Sequence, residues 1–136
     1  MNLAAIDIGS NAARLLITEV LQNDSGETVF NKLNLVRIPL RLGFDVFEQG
    51  YISKQRMAMM LQTMKAFKHL CNAYGVTHIK ACATSAMRDA KNASDIIRKI
   101  SNSPNLVTVG HRSSVITRSR EPLRTVRCHM LRFAQR

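Results

Sequence analysis

Asp7-Ile8-Gly9-Ser10-Asn11 is the first place in this 136-residue sequence where residue types and spacing point to chemistry. A carboxylate closes an apolar run, Leu3 to Ile8, and a small tight turn follows it. Gly9 lets backbone approach a ligand closely, while Ser10 and Asn11 add a hydroxyl, an amide and exposed N–H groups. Consecutive N–H groups of this kind make a concave nest for oxyanions. Asp7 is a candidate to hold Mg²⁺ or orient a water beside such a polyanion. The plainer reading is an ordinary hairpin turn in which Asp7 bonds backbone groups.

A second candidate is Ala83-Thr84-Ser85-Ala86-Met87-Arg88-Asp89-Ala90-Lys91-Asn92. An apolar strand end meets Thr-Ser at the start of a helix, where open N–H groups and the helix dipole favour an anion. Arg88, in the first turn, carries a fork of donors suited to phosphate oxygens. The plainer reading is a capped helix with Arg88 paired to a surface acid. Elsewhere the chemistry is thin. His69, His78, His111 and His129 show no ligand spacing, and no serine–histidine–acid arrangement is visible. Met57, Met59, Met60 and Met64 read as core.

The pattern around these residues predicts strands over 3–8 and from Ala12 to Val20, joined as a hairpin through Gly9-Ser10-Asn11. A third strand follows within Val29 to Leu42, with Pro39 marking an edge or an early end. Leu42 to Gly50, with glycine near both ends, reads as a loop. Ser53 then reads as the N-cap of an amphipathic helix, although Arg56 stands where a capping-box acid belongs. That helix carries Met57, Met60, Leu61, Met64, Phe67 and Cys71 inward and ends at Gly75. Val76 to Ala83 reads as a short buried strand. A helix of roughly Ala86 to Ile100 follows, capped by Thr84-Ser85, with Ile96, Ile97 and Ile100 inward. The expected order is strand, strand, strand, helix, strand, helix, an α/β unit over residues 1–101.

Size and composition fit one domain. The chain is 15.3 kDa, and 46% of its residues are hydrophobic, enough for a packed core. No run approaches the roughly 18 apolar residues of a membrane span. The N-terminus lacks the basic start of a signal peptide. Cys71, Cys82 and Cys128 form no metal spacing and leave an odd thiol, so a reducing cytoplasm is the expected location. The net charge of +11 points to an anionic partner. More than half of that excess lies in residues 101–136, which hold seven arginines, no lysine and one acid, Glu121. Leu106 to Val109 reads as a possible strand, but residues 102–136 otherwise read as an irregular basic tail. Their change of texture suggests a non-native continuation, truncated or frameshifted.

Taken together, Asp7-Ile8-Gly9-Ser10-Asn11 with Arg14, then Arg41-Leu42-Gly43, then Ala83 to Asn92, resembles the exopolyphosphatase / guanosine pentaphosphate phosphohydrolase (Ppx/GppA-type) family over residues 1 to about 100. The resemblance implies an actin-like ATPase (ribonuclease-H-like) lobe. It implies hydrolysis of a phosphoanhydride, with orthophosphate released from polyphosphate or guanosine pentaphosphate, and Mg²⁺ as cofactor. On that basis Asp7, Gly9, Ser10 and Asn11 look like the first phosphate loop. Arg14 and Arg88 look like arginines near the substrate phosphate. Ala12 stands where members often have serine.

The family's second phosphate loop, Asp-x-Gly-Gly-Gly-Ser, is absent. Its Gly-x-Glu-Glu segment is matched only faintly: Val115-Ile116-Thr117 echoes the strand before it, and Glu121 falls on the second glutamate, the base for the attacking water. The expectation is therefore an incomplete N-terminal lobe, weakly active or inactive alone and missing its second lobe. Family members are often homodimers.

Two other classes remain open at the level of sequence. One is a lobe of an actin-like sugar kinase or ATPase, which shares the Asp-x-Gly turn. The other is a non-catalytic nucleic-acid binder using the arginine-rich tail. Scarce aromatic residues for base stacking, Phe133 alone in that tail, make nucleic acid the weaker expectation.

Overall fold

The computed structural model describes residues 1–101 and 114–117. Five strands form one mixed sheet: β1 (Asn2–Ile8), β2 (Ala12–Gln22), β3 (Thr28–Pro39), β4 (Val76–Ala83) and β5 (Ser114–Thr117), in the order β3-β2-β1-β4-β5. β1 pairs antiparallel with β2 and parallel with β4; β2–β3 is antiparallel and β4–β5 parallel. Four helices complete the order: α1 (Leu42–Gln49), α2 (Lys54–Ala73), α3 (Ser85–Asp89) and α4 (Ala93–Ser101).

Alternation decides which face is buried. Ala4, Ile6 and Ile8 of β1 sit opposite Ile17, Leu15 and Ala13 of β2, and beside Ile79, Ala81 and Ala83 of β4. These nine side chains share one face and one buried cluster with Met60, Met64, Phe67 and Cys71 of α2. Small residues on β1 and β4 let α2 lie close to the sheet, and its large side chains fill the remaining space. α2 begins as its sequence suggests, with the Ser53 side chain accepting from the Arg56 N–H at 3.3 Å. Met59 is the exception to the methionine expectation and stands exposed.

The expected order of elements needs three corrections. Leu42 to Gln49 is a helix and not a loop. Leu42 and Val46 repeat at helical spacing into the core, and Gly50 closes the helix in the left-handed conformation that glycine adopts without cost.

The helix expected over 86–100 is broken into α3 and α4. Ala90 turns to extended backbone, and tertiary hydrogen bonds take the next two residues: Lys91 N–H donates to Gly50 C=O, and the Asn92 amide clamps Ile52.

Finally, Ser114–Thr117, inside the segment read as irregular, is strand β5, which extends the sheet beside β4. The suggested strand over Leu106 to Val109, the rest of the basic tail and Glu121 lie outside the described residues.

Candidate phosphate-binding site

The two loops singled out in the sequence meet. Ser10 and Ser85 are 75 residues apart in the chain, yet their hydroxyl oxygens lie 2.7 Å apart. Parallel pairing of β1 with β4 causes this, because both strands end at the same edge of the sheet. The stitch continues in the backbone. Thr84 N–H donates to Ile8 C=O at 3.0 Å, and the Thr84 hydroxyl donates to the same oxygen at 3.2 Å. Thr84 therefore ties β4 to β1 and makes no side-chain cap to α3, contrary to expectation.

A third segment, Arg41-Leu42-Gly43, holds the loop from the other side. Gly43 N–H donates to Ser10 C=O at 2.7 Å, and Leu40 and Arg41 N–H both donate to Asn11 C=O. Gly43 is buried so closely here that a Cβ on it would come within 3.0 Å of the Ser10 Cβ. Arg41, at φ 53°, is the one non-glycine residue in the left-handed region among those described. Such backbone costs roughly 1–2 kcal/mol in a non-glycine residue. It turns the chain so that successive N–H groups reach the Asn11 carbonyl.

Asp7 and Arg14 face each other across β1 and β2, with 3.7 Å between Oδ2 and Nη1. Gly9 closes the hairpin through its N–H to Ala12 C=O at 3.0 Å. Ser10 is half-buried and Asn11 exposed, so the loop is open to a ligand. Arg88 is exposed in α3, with its Nε 3.7 Å from the Asp89 carboxylate. A long, exposed pair of this kind holds the guanidinium only weakly. The structure thus brings Gly9, Ser10 and Asn11 together with Thr84 and Ser85, sets Asp7 against Arg14, and leaves Arg88 on the helix that follows Ser85.

The sequence reading missed what braces this site. Asp45 is buried in α1 and binds the start of α2: Ser53 N–H donates to its Oδ2 at 2.9 Å and Arg56 Nε to its Oδ1 at 2.6 Å. Arg56 Nη1 also donates to Leu40 C=O at 2.8 Å, and its guanidinium lies over the Phe44 ring. Burial alone would push the Asp45 carboxyl upward. The Ser53 hydrogen bonds and the Arg56 hydrogen bond and charge more than offset it, leaving its pKa below 3.8. The sequence carries part of the signal: Arg56 stands in place of a capping-box acid, and its partner lies eleven residues upstream, on a helix whose sequence resembles a loop.

Asn92 is the second brace. Its amide donates to Ile52 C=O at 2.8 Å, and its oxygen accepts from Ile52 N–H at 3.0 Å. No buried side-chain nitrogen or oxygen among the described residues lacks a hydrogen-bond partner.

Comparison with known proteins places this geometry. The profile of the Ppx/GppA phosphatase family matches residues 20–128. The bifunctional 3-dehydroquinate synthase/phosphatase of Fusobacterium nucleatum is 31% identical over 103 residues, which cover 71% of this chain and 15% of that protein. Exopolyphosphatase 1 of Mycobacterium tuberculosis is 27% identical over 100 residues, covering 74% of this chain and 28% of that protein. The crystal structure of the Aquifex aeolicus Ppx/GppA family member superposes with a TM-score of 0.69 and 32% identity, over 86% of this chain and 35% of that one. The chain therefore spans well under half the length of these relatives.

Proposed function

The chain belongs to the Ppx/GppA phosphatase family, and we propose that it forms the first half of a phosphoanhydride hydrolase site, acting on polyphosphate or guanosine pentaphosphate in the cytoplasm. One observation carries this reading: the 2.7 Å contact between Ser10 and Ser85, which merges two anion-favouring turns into a single cradle. The cradle offers hydroxyls and N–H groups to one end of a phosphate chain. In this reading Asp7 orients a water, Arg14 holds Asp7 and meets the anion, and Arg88 reaches a phosphate from α3.

Hydrolysis also requires a base for the water and donors from the far side of a cleft. In this proposal Glu121 is the candidate base, and the glycine-rich second loop is missing from the sequence. The chain alone therefore binds phosphate chains and turns them over poorly or not at all. Mg²⁺, if bound, would be held largely by the substrate's phosphate oxygens. No group of three metal-ligating side chains exists among the described residues. Asp7 would supply one carboxylate, and phosphate oxygens the remaining ligands, a division usual for Mg²⁺.

The test pairs binding with turnover. Calorimetry with tripolyphosphate and Mg²⁺ is expected to show binding that Arg88→Ala and Ser10→Ala weaken. Orthophosphate release is expected to stay near background. Robust release abolished by Arg88→Ala would refute the inertness of the single lobe, and absence of binding would refute the site itself.

A further inference from the structure

One peptide unit, the amide between Leu40 and Arg41, connects the Asp45–Arg56 pair to the Ser10–Asn11 loop. Its carbonyl accepts from Arg56 Nη1 at 2.8 Å, and its N–H donates to Asn11 C=O at 2.8 Å. A peptide is a rigid plane, so fixing both of its ends fixes its rotation. One end is held from α2 and the other by the loop. Arg56 is itself aimed by Asp45, whose Oδ1 accepts from Arg56 Nε at 2.6 Å and whose Oδ2 accepts from Ser53 N–H at 2.9 Å. The fork of the guanidinium is needed for this, because Nε and Nη1 reach two acceptors at once.

The plane is held against a cost. Its orientation goes with the left-handed backbone of Arg41, at φ 53° and ψ 40°, which a non-glycine residue leaves when nothing restrains it. Rotating the plane would return Arg41 to ordinary backbone and take its N–H away from Asn11. It would also strand the carbonyl of Leu40, a residue only 1% exposed. We propose that Asp45 and Arg56 are positioning residues for the phosphate site. Through the Leu40–Arg41 peptide they keep Arg41 left-handed, and so keep the Ser10–Asn11 loop in the conformation that receives phosphate. The proposal rests on the phosphate reading above and adds to it a control of affinity from the start of α2, which contributes no group to the cradle itself.

The experiment uses Arg56→Lys in the whole chain, with tripolyphosphate as the probe. Lysine keeps the charge beside Asp45 but cannot hold Asp45 and the Leu40 carbonyl together. Urea denaturation is expected to show a folded protein, and calorimetry an affinity lowered about tenfold, the strain of one left-handed residue expressed as a binding constant. In an Arg41→Gly background, where glycine keeps the left-handed backbone unaided, the loss caused by Arg56→Lys should shrink to about twofold or less. Hydrogen exchange reads the same coupling without ligand. The Arg41 amide should exchange about tenfold faster in Arg56→Lys, while the Ile17 amide at the centre of the sheet is unchanged. An affinity that stays at the wild-type value, or a loss equal in both backgrounds, would overturn the proposal. So would an Arg41 amide whose exchange is unaltered, or one that quickens only in step with Ile17, as a general loss of stability would produce. Failure of the wild-type chain to bind tripolyphosphate would instead remove the cradle itself.

Discussion

Asn92 holds both backbone groups of Ile52, accepting from its N–H and donating to its C=O across forty residues of sequence. This reciprocal bond mimics a strand pair made by one side chain. It fixes the connection between α1 and α2 against the break between α3 and α4. Asn92→Ala strands an N–H and a carbonyl at a largely buried position, and a loss of about 2 kcal/mol is expected in urea denaturation. Asn92→Asp keeps the acceptor but sets a carboxylate against the Ile52 carbonyl, and should do no better.

Asp45 gives the fold a dependence on acid. Its pKa is lowered in the folded state, so the native protein binds fewer protons there than the unfolded chain. That contribution is complete above the ordinary carboxylate value of 3.8 and fades as pH falls through the lower folded value. Asp45→Asn should therefore cost about 2 kcal/mol at neutral pH, with Arg56 left unpaired. The gap from wild type should close as the pH is taken below 3.8. Denaturant midpoints measured across that range check both the size and the sign.

Gly43 couples stability to the cradle. A methyl group there meets the Ser10 Cβ at 3.0 Å, with the Ser10 carbonyl and the Phe47 ring 3.4 Å away. Gly43→Ala should push the Ser10 loop aside, at about 1–3 kcal/mol. Tripolyphosphate binding should fall by more than the stability loss explains. Unchanged binding in a folded Gly43→Ala protein would show that the Ser10 backbone does not form part of the site.

Cys71 is fully buried in α2, and burial pushes its thiol up to about 11. The thiolate is the reactive form, so alkylation at pH 8 should be slow. Peptide mapping after iodoacetamide should find Cys71 unmodified in the folded protein and modified in urea.

The elements that the sequence disclosed were those with a strong local period. Leu3 to Ile8, the Gly9-Ser10-Asn11 turn and the stripe from Met57 to Cys71 each carry their own signal, and each folds as its pattern predicts. The pairing of Ser10 with Ser85 was not legible from spacing, because it depends on two parallel strands ending together. The family resemblance sets the Asp7–Asn11 turn and Arg88 near one phosphate, but it does not name the contact between the two serines. The region from Leu42 to Gly50 reads as a loop because glycine near both ends imitates one, yet Leu42–Gln49 is a helix. Gly43 is in fact a close packing point inside a helix, and Gly50 is its terminus. The break at Ala90 was invisible for a different reason: local propensity favours helix there, and partners forty residues away decide otherwise.

β3 forms an outer edge of the sheet and runs for twelve residues, Thr28 to Pro39. Among the described residues no strand pairs with its outer side, an edge of that length invites another strand to zip onto it, and Val29, Phe30 and Leu35 are exposed along it. Lys32 and Arg37 interrupt those apolar residues, and Pro39 denies a donor at the end. Charged side chains on an edge strand oppose the pairing of two like edges, and Lys32 and Arg37 stand there. Neutralising them would ease sheet-to-sheet growth, so the guard against self-association weakens whenever the charge is masked.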